Sequence, residues 1–297
     1  MSLSPYSPPF RKPHPWYPIN PTLVDPAWRW AWRELLSGGW TGPGYAWDAV
    51  RHRLGVPDSG VATAVTQVGV GTQHDQISGA TGERIGLGTI PNLPARLSAL
   101  VYFRHDPGTG ANYGQLMAYG DGVFGTNTRF SMGYRNGADD PFLYGRSVGG
   151  LLGTEGAAPG FSGLSAFAMQ WAAGAQTLFT LKGAGVWATE LTSTSGNGSE
   201  AAGDQLWLAG SGSMAADAAQ ATPACVILAW YLWGYTVPVT QLRIIARAPF
   251  SPFRPARRVS YFVGAEAGAP AAGTLAYRLV TDEMPSYDLV GGPLVIA

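Results

Sequence analysis

Paired carboxylates come first among residues that could do chemistry, because a general acid and a nucleophile acting on one glycosidic bond must face the same sugar. On a β scaffold this requires acidic residues at alternating positions of one strand, with carboxyl groups about 5 Å apart in a retaining mechanism. No Glu-x-Asp-x-Glu pattern occurs, and the acidic pairs Asp139-Asp140 and Asp282-Glu283 are adjacent, so on a strand they would point to opposite faces. They read as solvated turn charges. The four histidines, His14, His52, His74 and His105, are scattered, with no second His or Cys at metal-ligand spacing. His74-Asp75 has the types of a base and its orienter, yet no Gly-x-Ser-x-Gly elbow supplies a nucleophile, and a loop histidine is the expectation. Gly69-Val70-Gly71 and Gly86-Leu87-Gly88 lack the Gly-Lys-Ser/Thr ending of a phosphate loop and are expected to be turns or bulges. Asp121 and Asn127 flank Phe124 in a Gly-rich loop, but their spacing matches no calcium loop. The expectation is a chain with no catalytic residue, no metal ligand and no cofactor.

Cys225 is the one cysteine of the 297 residues and lies in the apolar run Cys225-Val226-Ile227-Leu228-Ala229-Trp230, so it is expected as a small buried hydrophobe with no internal disulfide. Charged residues make up 13%, whereas Gly (41) and Pro (23) exceed a fifth of the chain, which favours many short strands joined by turns. The formal net charge is zero, so no global field draws in nucleic acid or an anionic membrane. Neither is an expected partner. Near-neutrality also removes the repulsion that keeps monomers apart, which points to life within an assembly and to a homo-oligomer. The start Met1-Ser2-Leu3-Ser4-Pro5 has no basic and then apolar leader, and no apolar stretch reaches the roughly eighteen residues of a membrane helix. Synthesis in the cytoplasm without a secretory signal is therefore expected.

The elements divide into three regions. Residues 1–26 carry Pro5, Pro8, Pro9, Pro13, Pro15, Pro18, Pro21 and Pro26, a density that blocks helix and ladder alike and predicts an extended arm. Tyr6, Phe10, Trp16 and Tyr17 are interleaved with those prolines, too aromatic for a solvated linker, so they are candidate partner-binding residues. Residues 27–250 are expected to be the domain, with its core from about 60. Within it, 27–36 fits a short helix or, through the alternation of Trp28, Trp30 and Trp32, a strand. Strand-like runs follow at 61–70, 83–88, 97–105, 114–120, 129–135, 141–148, 165–171, 177–182, 204–209 and 225–235, separated by turn signals such as Asp106-Pro107-Gly108 and Asn136-Gly137. A helix is predicted over Thr240–Ala248, capped by Thr240 and with Leu242, Ile244 and Ile245 as its apolar face. Residues 251–297 are expected as a C-terminal extension in which Arg254, Arg257 and Arg258 can fork onto carboxylates of a neighbour. Its segments 257–263 and 274–280 can add to a neighbouring sheet edge or fold back.

The order of Ser165–Trp171, Gln176–Gly183, Gln205–Gly210, Ala229–Trp233, Val239–Ile245 and Pro249–Arg258 resembles the concanavalin A-like or laminin-G-like jelly roll found in bacteriophage virion proteins. The resemblance covers about residues 60–258. It implies an all-β, two-sheet antiparallel jelly-roll sandwich with an extended N-terminal arm and a C-terminal extension. The acidic calcium ligands usual in that family find no match here. Alternating apolar positions and tight Gly turns agree with the sandwich, and Trp171, Phe179, Leu181, Leu206, Leu208 and Ile227 are expected to point inward.

Two functions are carried forward. The first, drawn from the arms and the resemblance, is a non-enzymatic structural protein of the virion surface, such as a capsid decoration protein, with other capsid or tail proteins as partners. The alternative is a carbohydrate-binding or adhesin module of a phage tail or cell surface, with a glycan as partner.

Overall fold

The structure, a computed structural model of the chain, describes residues 19–42, 45–57, 62–66, 69–74, 84–105, 113–120, 130–135, 140–147, 150–155, 163–172, 175–181, 187–193, 205–210, 220–221, 225–254, 259–261 and 277–279. Two 3-10 helices, Pro21–Leu23 and Pro26–Trp32, open it. Asn20 and Asp25 cap them, each accepting a backbone N–H two residues on at 3.0 Å. Proline at the first position of each helix loses no bond, since that N–H has no intrahelical partner.

The strands follow as β1 (Leu35–Gly42), β2 (Tyr45–Asp48), β3 (Arg53–Leu54), β4 (Val56–Pro57), β5 (Ala62–Thr66), β6 (Gly69–His74), β7 (Ile85–Gly88), β8 (Leu97–His105), β9 (Tyr113–Tyr119) and β10 (Phe130–Arg135). Next come β11 (Asp140–Ser147), β12 (Gly150–Glu155), β13 (Gly163–Ala172), β14 (Ala175–Leu181), β15 (Trp187–Ser193), β16 (Leu206–Leu208), β17 (Gln220–Ala221) and β18 (Cys225–Trp233). Helix α1 (Val239–Arg247), a third 3-10 turn (Ser251–Phe253), β19 (Val259–Tyr261) and β20 (Tyr277–Leu279) complete the order.

Among the described residues these strands form two large sheets and one small one. The ten-stranded sheet runs β15-β14-β13-β8-β18-β1-β2-β3, with β6 beside β18 and β5 beside β6. The eight-stranded sheet runs β12-β11-β10-β9-β16-β7-β4, with β17 beside β9. β19 and β20 pair only with each other. Every pairing but the short β17–β9 contact is antiparallel. The chain is an all-β, two-sheet antiparallel sandwich.

Two cores explain which strands alternate and which do not. Between the sheets, Leu97, Val101, Phe103, Phe167 and Trp171 meet Ile85, Leu116, Phe130, Met132, Tyr134, Leu206 and Leu208. On the outer side of the ten-stranded sheet, Leu100, Tyr102, Tyr231 and Trp233 meet Ile19, Val24, Ala31, Leu242, Ile245, Phe250 and Phe253. β18 is thus covered on both faces, which is why all nine of its residues are buried and its sequence is a continuous apolar run. The expected inward positions Trp171, Leu206, Leu208 and Ile227 are buried between the sheets, while the side chains of Phe179 and Leu181 on β14 lie outside those described.

The outer layer moves both expected boundaries. The described body starts at Ile19 rather than after residue 26, since Ile19 and Val24 are buried in the outer core. It also runs past 250, because Ser251, Pro252 and Phe253 are buried. Nor does the core begin near 60: β1 pairs with the central strand β18. Of the two readings of 27–36, neither held throughout. Pro26–Trp32 is a 3-10 helix and the strand starts at Leu35. Helix α1 appears where expected but one residue earlier, capped by the backbone carbonyl of Pro238 and not by Thr240. Its buried face is Leu242, Ile245 and Ala246, and Ile244 is 50% exposed. The glycines at 69, 71, 86 and 88 lie within β6 and β7 rather than in turns, and the register shift of β7 against β16 between Gly86 and Gly88 fits the expected alternative of a bulge. At Gly71 the reason is close approach, since a Cβ there would meet the Ile227 carbonyl oxygen at 2.6 Å.

Candidate functional site

The outer layer carries the aromatic side chains that combine packing with exposure. In Pro26–Trp32 the small Ala31 is fully buried in the outer core, and the larger Trp28, Trp30 and Trp32 pack around it partly buried. Trp28 and Trp30 are both half-buried against the outer core and stack on each other, with centroids 6.1 Å apart and planes 27° apart. Trp32 turns inward, donates from Nε1 to the Pro252 carbonyl at 2.5 Å and meets Phe253 edge to face. From below, Trp233 Nε1 donates to the Ala31 carbonyl at 2.7 Å. The helix is therefore pinned at Ala31 and Trp32, next to the stacked Trp28–Trp30 pair.

Two arginines neighbour that pair in the sequence. Arg29 is exposed and its Nη2 donates to the Thr22 carbonyl at 3.1 Å, which orients it across the first 3-10 turn. Arg33 lies one 3-10 repeat beyond Trp30, and its backbone N–H closes on the Trp30 carbonyl. Its side chain stands over the half-buried Tyr235 ring at 5.7 Å and meets Glu34 at 3.5 Å, with side-chain exposures of 73% and 50% for the two ions. Burial raises the Tyr235 phenol above its ordinary range, the Arg33 charge lowers it, and Glu34 raises it again. Rigid half-exposed indoles beside oriented guanidiniums can stack on the apolar face of a planar or ring-shaped ligand while donating hydrogen bonds at its rim.

The residues singled out from the sequence fall elsewhere. Tyr6, Phe10, Trp16, Tyr17, Arg257 and Arg258 lie outside the described residues. Arg254 is half-buried and its carbonyl accepts the Asp25 N–H at 3.4 Å, which ties the two ends of the layer together. Asp140 sits on β11 opposite Arg135 and not in a turn, whereas Asp139, Asp75, Asp121, Asn127, Asp282 and Glu283 are outside the described residues. His52 is exposed at the turn into β3. His74 is not a loop residue, and His105 closes the strand expected at 97–105. They lie on β6 and β8, each opposite Cys225 of β18, and all three are buried. Cross-strand register brings this row together from positions far apart in sequence. Among the described residues no group of three or more His, Cys, Asp or Glu is placed to hold a metal ion.

Sequence reasoning passed over one polar cluster, Asp48 with Arg51. Asp48 is fully buried at the end of β2, its Oδ1 accepting the N–H groups of Val50 and Arg51 at 3.0 Å. Its Oδ2 accepts from Ser37 Oγ and from Arg51 Nε, both at 2.7 Å. Arg51 reaches on to the Thr89 carbonyl at 3.1 Å, just past β7, so the cluster links the ends of the two sheets. The aspartate followed two residues later by hydrogen-bonded N–H groups was the available signal. Its acceptors are saturated, which makes it a structural joint.

The geometry defines a β-sandwich with an aromatic and cationic outer layer. No protein-family model matches the chain, and no curated protein matches it. Among solved structures, it is similar to the Ruminococcus gnavus IT-sialidase CBM40 at 15% identity, covering 59% of this chain and 97% of that one, with a TM-score of 0.44. The same module bound to alpha2,3 sialyllactose gives a TM-score of 0.41 at 15% identity, with the same coverage. Trypanosoma rangeli sialidase in complex with the inhibitor DANA gives 0.49 at 11% identity, covering 71% of this chain and 32% of that one, so the chain spans about a third of the sialidase's length. All three scores lie below 0.5, and the architecture described above rests on the chain's own sheets.

Proposed function

We propose that this chain is a non-catalytic carbohydrate-binding module, with the Trp28–Trp30 pair as its sugar platform. The observation that carries this reading is the half-buried, stacked pair itself: two indoles packed on the outer core beside a helix end that the Ala31 and Trp32 hydrogen bonds hold in place. Pyranose rings present apolar C–H faces that stack on indole, and prior fixing of the platform lowers the ordering cost of binding. The three described carboxylate side chains each have a structural partner. Asp25 caps a helix, Glu34 pairs with Arg33, and Asp48 is saturated by donors. Glycan-array binding by the purified chain tests the proposal. The expected result is binding to a defined glycan set, weakened tenfold or more in Trp28→Ala and Trp30→Ala variants that keep the parent unfolding temperature. An array without signal, or binding indifferent to both indoles, would overturn it.

A second reading, a structural protein of a bacteriophage particle surface, is favoured by one contact. The Asp25 N–H to Arg254 carbonyl bond brings the two segments of the outer layer together. A layer built from both segments offers one surface for a neighbouring capsid or tail subunit. Particle proteomics finding the chain in many copies, with incorporation lost on removing residues 1–18, is the expected outcome for this reading.

A further inference from the structure

The charge of the whole chain hides a local asymmetry. Arginine and lysine number 19 and aspartate and glutamate 19, giving zero overall. The two segments that build the outer layer, residues 19–34 and 235–254, nevertheless hold Arg29, Arg33, Arg243, Arg247 and Arg254 against only Asp25 and Glu34. By sequence the two segments thus carry a surplus of three positive charges, all guanidinium, and Arg29 and Arg33 are the two that neighbour the indole pair along the chain. Asp25 is committed to capping the second 3-10 helix, with its Oδ1 on the Ala27 N–H. Glu34 is the nearest competitor for Arg33, and both ends of that pair are largely exposed, so water screens the attraction and a ligand anion can displace it at small cost. Arg29 is already oriented by the Thr22 carbonyl, and Arg243 is exposed on α1. Guanidinium presents its N–H groups as a planar fork that fits carboxylate and sulfate oxygens, which a lysine ammonium does not.

We infer that the platform's ligand is an anionic glycan, a polysaccharide bearing carboxylate or sulfate groups, whose charge is read by Arg29 and Arg33 while Trp28 and Trp30 take the sugar ring. This rests on the carbohydrate-binding reading and narrows it to a ligand class. It sets a division of labour: the indoles supply contact that any pyranose could use, and the guanidiniums supply selectivity and salt dependence. Screening then acts on the selective part, because exposed ions lose their attraction over about a Debye length, roughly 8 Å at physiological salt.

The test uses the full chain, with polygalacturonate, dextran sulfate and neutral dextran as probes, by affinity electrophoresis and calorimetry at low and high salt. The expected result is affinity for at least one of the two anionic polymers at least tenfold above that for dextran, the preferred one identifying carboxylate or sulfate. This preference should shrink several-fold at high salt. Arg29→Gln and Arg33→Gln should each reduce anionic binding about fivefold to tenfold and dextran binding by a clearly smaller factor, whereas Arg33→Lys should recover part of the loss. Equal affinity for dextran and the anionic polymers would overturn this inference and leave the carbohydrate reading standing. No binding to any of the three here, together with a silent glycan array, would remove both. Anionic binding untouched by Trp28→Ala and Trp30→Ala would show ion exchange on the arginines alone, and would overturn the inference as well. Unfolding temperatures equal to the parent's separate these outcomes from loss of fold.

Discussion

Asp48 shows what a single buried charge contributes here. Its two oxygens receive four donors from Ser37, Val50 and Arg51, and Arg51 carries the connection to the loop after β7. Removing the carboxylate leaves Arg51, whose side chain is 17% exposed, without its counter-ion. Asp48→Ala is therefore expected to cost about 3 to 5 kcal/mol in urea unfolding. Asp48→Asn should cost less, since the amide keeps the turn N–H groups but sets its own donors against Ser37 and Arg51; stability equal to the parent would show that the charge is dispensable. Tyr231 makes the complementary case with a neutral group. It is fully buried, its hydroxyl donates to the Pro249 carbonyl, and burial holds its phenol well above the ordinary range, as burial does for Tyr102. A phenol whose folded pKa is raised holds its proton more tightly than in the unfolded chain. Its contribution is complete below the unfolded value of about 10 and is lost as pH rises from there toward the folded value. The urea midpoint should hold steady up to about pH 9 and fall above about pH 10, with tyrosinate absorbance appearing only as structure is lost. Tyr231→Phe should lower stability by about 1 kcal/mol at neutral pH and flatten part of that alkaline fall.

At the scale of the element, β1 is the most instructive strand. Its sequence, Leu-Leu-Ser-Gly-Gly-Trp-Thr-Gly, has the composition of a turn, yet it fills the place between β18 and β2. Its two adjacent glycines are there for different reasons. A Cβ at Gly39 would lie 1.8 Å from the Trp47 carbonyl oxygen, a backbone atom of the neighbouring strand that cannot yield. A Cβ at Gly38 would meet Leu35, Tyr231 and the Trp230 carbonyl only at 3.4 Å. Gly39→Ala is expected to destabilise by about 3 kcal/mol or more, as overpacking against a fixed wall does, and Gly38→Ala by about 1 kcal/mol or less. Thermal unfolding of the two variants side by side measures the difference, and equal losses would show that β2 can shift away from β1. Between Ile227 and Ala229, β18 slips register and exchanges β6 for β1 as its neighbour. Thr41 joins these three strands, donating its hydroxyl to the Ile227 carbonyl and accepting the Thr72 N–H at 3.1 Å.

For the whole molecule, the outer layer makes residues 19–33 and 250–253 part of the packed body. Ile19, Val24, Ala31, Phe250 and Phe253 are buried against the ten-stranded sheet, so that sheet has apolar residues on both faces and needs the layer to cover one of them. A chain lacking residues 1–18 is expected to fold, with the thermal midpoint of the parent. A chain lacking residues 1–33 should lose the second 3-10 helix, bare Trp233 and Tyr231 to solvent, and aggregate or unfold at markedly lower temperature. Circular dichroism melting and light scattering on the two truncations check this. A stable, monodisperse product from the longer deletion would mean that the layer is an accessory and not part of the fold.

Much of the sandwich was legible in the sequence, because short apolar runs between Gly and Pro turns have few ways to bury themselves. β8 was placed residue for residue at 97–105, and β10, β13 and β18 lie close to their expected spans. The continuous run Cys225–Trp233 even carried the signature of burial on two faces, although what covered the second face could not be read from it. Three things were settled only by the tertiary structure. β1 needed the close approach of β2 to make sense of its glycines, since local propensity scores a Gly-Gly pair as a turn whatever lies beside it. His74, Cys225 and His105 became one buried row only through the register of β6, β18 and β8. The candidate site needed segments far apart in sequence: Trp28, Trp30 and Arg33 come from one and Tyr235 from the other, with Arg33 standing over the Tyr235 ring and all of the rings packed on the same outer core. Periodicity and composition act between near neighbours along the chain, so they fix which segments extend and which residues hide. Long-range contacts alone fix which surfaces remain and what they hold together.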